Sequence, residues 1–373
     1  MSYDLLIQGG RVLDPEREMD GIADVAVAGG MVVEVAVCLG ASEAAQVYDA
    51  GGCLVLPGLI DMHTHVNWGS DPISLVADDY LAGSGTTTWV DAGSAGAANF
   101  AGFRRFLIEP SRTRIQPFLN VSTPGLAAVE CVHNDVKHLD ADAAFDTVEK
   151  NRDLIKGIKV LSCAMRVGPN GLIPLRVALE VGEATNLPVM CHIGAPPPGL
   201  GEMLPLLRPG DIITHTYKGR KGCLVVAGGR VRREAWEARE RGVRFDVGHG
   251  AGSFSWEVAR QALDQGFPPD TLSTDLHAAS VAGGNFHMPA LMSRFLHLGL
   301  DLSEVVRLST ANPARLLGLE GEIGTLAPGT CADIAVLRLE QGEFPARDCE
   351  GVTEVMRQRL VPVLTVRAGQ VVA

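Results

Sequence analysis

The N-terminal stretches YDLLIQGGRVLD, DVAVAGGMVVEVA and QVYDAGGCLVL are short runs in which apolar residues alternate with polar ones. A period of two predicts strands that lay one face on a core. The glycine pairs at 9–10 and 29–30 interrupt these runs and predict hairpin turns. The same texture returns in GTLAPGTCADIAVLRLE, residues 324–340, and in LVPVLTVRAGQVVA, residues 360–373. Two β-rich ends around a different middle predict one small β-sandwich-like domain, assembled from residues 1–53 and 321–373.

The middle, residues 54–320, changes period. Strand-like runs fall at 54–63, 86–93, 114–122, 157–163, 187–194, 211–218, 243–250 and 271–278. Between most of them lie segments such as DAAFDTVEKNRDL, LRVALEVGEATN, REAWEARERG and SWEVARQALDQG, with apolar residues three and four apart. That spacing marks amphipathic helices, and a glycine or asparagine often follows as a stop. Strands alternating with helices over about 250 residues predict a (β/α)₈ TIM barrel. A doubly wound open sheet is the rival, but the glycine-rich dinucleotide fingerprint is missing from the sequence.

Composition narrows the function. With 46% hydrophobic residues in 373, the chain can bury a large core, and disorder is excluded. A net charge of -12 argues against a nucleic-acid partner, which would call for a basic face. The 8 cysteines, at 38, 53, 131, 163, 191, 223, 331 and 349, form no CxxC pair and read as thiols of a reducing cytosol. MSYDLLIQGGRV lacks the basic and apolar regions of a secretory signal. No apolar run reaches the roughly 20 residues of a membrane span. A cytoplasmic protein with no membrane partner is expected.

The chemistry begins at DMHTH. On a strand, His63 and His65 point to one side, whereas on a helix they would diverge by about 200°. His192, His215 and Asp275 stand toward the C-terminal ends of three other expected strands, the face where barrel enzymes keep their active sites. Each histidine alone could be structural; the set converges on a metal site. Lys159, in GIKVL, adds a lysine within an apolar strand. Burial there lowers the amine pKa and makes it nucleophilic, so that it can add carbon dioxide to form a carbamate. Lys156 competes, but it has the opposite parity and lies farther from the active face.

These residues, with PGLIDMHTH, TANPARLLGL and GTLAPGTCADIAVL, resemble the amidohydrolase superfamily of metal-dependent hydrolases over nearly the whole chain. The resemblance implies two divalent ions, with zinc expected. His63 and His65 would bind the first and His192 and His215 the second. Carboxylated Lys159 would bridge them, and Asp275 would complete the first site and serve as proton shuttle. A metal-activated water would then attack a carbonyl carbon.

The stretches around HIGAPPPG and FDVGHGAG look most similar to the dihydroorotase-like and deacetylase-like subgroup. That implies deacylation of a small N-acyl amino acid or O-acyl hydroxy acid. Arg166, Tyr217 and Lys218 are the nearest candidates for the substrate carboxylate. His277 shares a face with Asp275 and is a further substrate-binding candidate. Leu161 and Ala164 stand where arginines often occur in that subgroup. Asp61 reads as a turn or supporting residue, His249 as a support of the ligands or loop packing, and Asp91 and Asp246 as polar barrel lining. A cyclic-amide hydrolase of the dihydroorotase or hydantoinase type is the alternative, a non-catalytic scaffold a remoter one. A homo-oligomer is possible on this fold.

Overall fold

The computed structural model describes residues 2–127, 132–219, 225–282 and 287–372. The N-terminal alternation forms β1 (Tyr3–Asp14), β2 (Met19–Ala28), β3 (Met31–Ala36) and β4 (Ala44–Asp49). Gly29 and Gly30 make the β2–β3 turn at φ +58 and +77, a conformation that a side chain disfavours. Gly9 and Gly10 do not make a hairpin. β1 runs through them, and its register with β2 shifts between Ile7 and Gly10. Gly9 takes φ +70 and its N–H donates to Asp24 Oδ1 at 2.8 Å, so the glycines form a bulge.

The run expected as one barrel strand over 54–63 is two strands. β5 (Leu54–Pro57) lies parallel to β1 in the terminal sheet, with Arg11 opposite Leu54. Gly58 then turns the chain, its N–H donating to Asp333 O at 2.7 Å. A side chain there would collide with Thr87 and Asp333. β6 (Leu59–Thr64) begins the barrel.

After it come β7 (Thr86–Gly96), β8 (Arg114–Asn120), β9 (Gly157–Ser162), β10 (Val189–Ile193) and β11 (Ile212–Thr214). A two-stranded ribbon, β12 (Val226–Ala227) and β13 (Arg230–Val231), precedes β14 (Arg244–Asp246). The parallel order is β14-β11-β10-β9-β8-β7-β6. The expected eighth strand, 271–278, is an extended segment without a regular ladder. It bridges Thr271 to Asp246 on one side and Leu276 to Thr64 on the other, which closes the barrel. Regular pairing fails because Thr274 N–H is spent on Asp61 Oδ1, at 2.9 Å, and Asp275 turns left-handed at φ +49.

Helices Ala141–Lys150, Ile173–Thr185, Arg233–Glu240 and Trp256–Asp264 occupy the segments read as helical. The first is capped by Asp140, whose carboxylate accepts Ala143 N–H at 2.9 Å. Ile158, Val160, Cys191 and Ile213 share one buried cluster with Val148, Leu175, Ala178, Val181 and Ala262 of these helices. Because the outward positions of β9 to β11 are apolar, the alternate positions Lys159, His192 and Thr214 face the barrel interior.

β15 (Ile334–Arg347), β16 (Thr353–Arg367) and β17 (Gln370–Val372) complete the terminal sheet, ordered β17-β16-β15-β5-β1-β2-β3 with β4 on β1. Its own core holds Ile7, Val12, Val25, Val55, Ile334 and Val366. The far end of the β15–β16 hairpin climbs the barrel wall. Trp256 Nε1–H donates to Ala346 O at 3.1 Å, and Cys349 N–H donates to Phe254 O at 3.0 Å. Among the described residues, no helix is long and apolar enough to cross a membrane.

Candidate metal centre

The strand ends bring His63, His65, Lys159, His192, His215 and Asp275 into one cluster. His63 and His65 Nε2 lie 3.5 and 3.4 Å from Asp275 Oδ1. Lys159 Nζ is 3.2 Å from His63 Nε2, and His215 Nε2 is 2.8 Å from His192 Nδ1. The rings of His63 and His215 are 5.2 Å apart and join the two halves. Lys156, the competing lysine, is half-buried on the opposite parity, whereas Lys159 is buried in the interior.

Parity alone does not put His215 there. Thr214 is the inward residue of β11, aligned with His192 and Asp246. His215 follows it and faces the same centre because its backbone turns left-handed at φ +72. Asp275 takes the same conformation on the eighth segment. Such backbone strain in non-glycine residues persists where the surroundings enforce it. Glycines make the room: a side chain at Gly93 would meet Lys159, and one at Gly250 would meet Asp275.

The cluster offers bare acceptors. Burial holds His63 and His192 well below the usual imidazole range and pushes His215 down to about 3, so the rings are neutral. Burial favours a neutral Asp275, but the surrounding imidazoles of His63, His65, His277 and His215 outweigh it and keep the carboxylate ionised. Burial also pulls the Lys159 amine down to about 8. The His215 Nδ1–H donates to Gly248 O at 2.7 Å, which leaves Nε2 as a lone pair pointing inward. Donor atoms of His63, His65 and Asp275 all lie within 4.8 Å of one another. Neutral imidazoles and a carboxylate converging in this way suit a divalent cation such as zinc.

The substrate candidates divide. Lys218, largely buried at the mouth, donates to Ser253 Oγ at 2.9 Å. Burial lowers its pKa, against the opposing pull of the Asp275 carboxylate. The His277 ring is 6.3 Å from that of His65, and its Nδ1 accepts Ser280 N–H, leaving Nε2–H as a donor. Tyr217 is not at the mouth. It is buried against Phe295 and donates to Phe267 O at 2.9 Å, on the outward parity of Ile213. His249 stacks on Phe254 and donates to Gly250 O at 2.8 Å, in a packing role.

Asp61 accepts from His63 N–H and from both the N–H and hydroxyl of Thr274, tying the first strand to the eighth segment. Burial raises its pKa to about 7. Asp91 and Asp246 line the interior: Asp91 accepts the N–H groups of Val66 and Ser94, and Asp246 accepts the hydroxyl of Thr214, which touches His63. Ser94, Thr214 and Ser253 were not singled out from the sequence. Thr214 was recoverable, because its parity with Ile212 turns it inward.

A model of the amidohydrolase family matches residues 254–372. A deacetylase of Agrobacterium fabrum is 34% identical over 353 residues, covering 94% of this chain and 86% of that protein. Among solved structures, that of an adenine deaminase superposes with a TM-score of 0.92 at 28% identity, covering 100% of both chains. That of a dihydroorotase gives 0.90 at 32% identity, over 100% of this chain and 99% of the other. With its barrel, terminal sheet and histidine cluster, the chain belongs to the amidohydrolase superfamily. It is a hydrolase.

Proposed function

We propose that this chain is a two-metal deacylase, cleaving the acyl amide or ester bond of a small carboxylate substrate such as an N-acyl amino acid or O-acyl hydroxy acid. The observation that carries the reading is the convergence of the six side chains at the C-terminal mouth of the barrel. His63, His65 and Asp275 would hold one ion, with zinc expected, and His192 and His215 the other. Lys159 lies between them. Its amine, at a pKa of about 8, is neutral in an appreciable fraction near neutral pH and can add carbon dioxide, which would turn it into a bridging carbamate. Bound ions would supply Lewis acidity toward the substrate carbonyl and lower the pKa of a coordinated water.

The chain's own groups then handle protons and orientation. Asp275, ionised in its ring of imidazoles, takes the proton of the attacking water and returns it to the leaving nitrogen or oxygen. The Nε2–H of His277 donates to the substrate beside the reacting bond. Lys218 and Arg166 meet the substrate carboxylate, and the Ser253 hydroxyl fixes the ammonium of Lys218. The name of the Agrobacterium relative favours deacetylation. The similarity to a dihydroorotase structure supports a second reading, opening of a cyclic amide at the same centre.

Hydrolysis of N-acetyl amino acids, acetylated hydroxy acids and dihydroorotate by the zinc-loaded protein separates the two. The acetylated carboxylates are expected to turn over, and Lys218→Ala should raise KM by about ten- to a hundred-fold with a smaller change in kcat. Turnover of dihydroorotate alone would favour the second reading. A protein that takes up no transition metal, or a His63→Asn variant of full activity, would overturn both.

A further inference from the structure

One imidazole of the cluster reaches a buried carboxylate through an interposed hydroxyl. His63 Nδ1 lies 2.9 Å from Thr214 Oγ1, which donates to Asp246 Oδ2 at 2.7 Å. His65 Nδ1 lies 3.0 Å from Ser94 Oγ, and the Ser94 backbone N–H donates to Asp91 Oδ1 at 2.8 Å. A hydroxyl has one proton. Because Asp246 takes that of Thr214, the oxygen faces His63 as an acceptor, the ring proton sits on Nδ1, and Nε2 presents its lone pair to the centre.

The Asp246 arm branches. The Ser273 hydroxyl also donates to Asp246 Oδ2, at 2.7 Å, and accepts Gly248 N–H at 2.9 Å. Gly248 O in turn accepts His215 Nδ1–H at 2.7 Å. One carboxylate therefore orients His63 through Thr214 and His215 through Ser273 and Gly248, although these rings belong to different halves of the cluster. Thr271 contributes a third hydroxyl to Asp246, at 2.7 Å, and lies on neither branch.

We propose that Asp246 is the common positioning residue of the two metal positions, with Thr214 setting the tautomer and angle of His63. The inference rests on the metal-hydrolase reading. Keeping a hydroxyl between carboxylate and ring orients the imidazole without placing a full negative charge against it, so the ligand stays a neutral donor. Loss of such an outer partner typically weakens metal binding about ten- to a hundred-fold.

The test compares Thr214→Val, Thr214→Ser and Thr271→Val for zinc affinity by chelator competition. It also reads ring tautomers by nitrogen NMR of the metal-free proteins. Thr214→Val should weaken zinc binding about ten- to a hundred-fold and release the Nδ1–H preference of His63, while Thr214→Ser keeps both. Thr271→Val, which takes a hydroxyl from the same carboxylate, should leave both unchanged. Wild-type affinity and tautomer in Thr214→Val, or equal loss in Thr271→Val, would overturn the proposal. Absence of zinc binding by the wild type would instead sink the metal-hydrolase reading, and the tautomers would still decide whether Thr214 orients His63.

Discussion

The terminal sheet and the barrel mouth solve opposite problems with the same chain. In the sheet, alternating Val, Ile and Leu fill a dry core along long ladders, and left-handed residues such as Glu18 and Ala368 fall at the turns between strands. At the mouth, His215 and Asp275 use that conformation to aim side chains, and the interior positions are polar and desolvated. Regularity maximises burial, whereas the mouth gives up regular pairing to bring charges and lone pairs together.

The sharpest way to separate the two regions is Lys159→Ala. Activity should fall by on the order of a thousand-fold or more, with metal uptake impaired and thermal stability little changed, because the amine is desolvated in the fold. Short carboxylic acids, standing in for the carbamate, should restore part of the rate. No restoration in a metal-replete variant would remove the carbamate from the scheme.

Ile7→Ala is the counterpart in the sheet. Ile7 is fully buried in the sheet's own core, and its truncation should cost about 2–5 kcal/mol in urea unfolding. The kcat/KM of the folded molecules should not move. A proportional loss of activity would mean that the two regions are energetically one.

Acid should attack them unequally. All 10 histidines lie outside residues 1–53 and 321–373. Burial pushes His133 and His249 down to about 3, against about 6.5 for unfolded chains. Between those values the unfolded chain binds more protons, so stability is full above pH 6.5 and falls as pH drops toward 3, by at most about 1.4 kcal/mol per pH unit for each group. Melting temperatures at pH 7, 5.5 and 4.5 should decline, and His133→Gln should flatten the decline. Hydrogen exchange at pH 4.5 should quicken in the barrel before the sheet; the reverse order would refute this account.

The smallest contrast uses two glycines. Gly29 and Gly250 sit at φ +58 and +50, so alanine at either should cost about 1–2 kcal/mol. Nothing lies within 4 Å of a side chain at 29, while at 250 it would come within 2.5 Å of Asp275 Oδ2. Only Gly250→Ala should lower kcat. Equal kinetics in the two variants would show that Asp275 has slack.

What could be read from the sequence follows the same division. Period-two alternation places His63 beside His65 and favours Lys159 over Lys156, since neither inference needs more than a straight strand. His215 departs from that rule, because its left-handed backbone turns it inward, whereas Tyr217 keeps the outward parity of Ile213. The glycine pair at 9–10 has the composition of a turn, and only the partner Asp24 makes it a bulge. Nor could local pattern show that 54–63 belongs half to each region, since the decisive contact is with Asp333, far along the chain.

The β15–β16 hairpin has a consequence in time. Phe254 and Trp256, next to the Ser253 that fixes Lys218, are held by Ala346, Asp348 and Cys349. β5, which leads into the first barrel strand, lies between β1 and β15. During synthesis the histidines of the mouth emerge well before these supports. On the ribosome, the barrel therefore waits for its last strands, and a nascent chain stalled before residue 334 carries every proposed metal ligand without the frame that seats it.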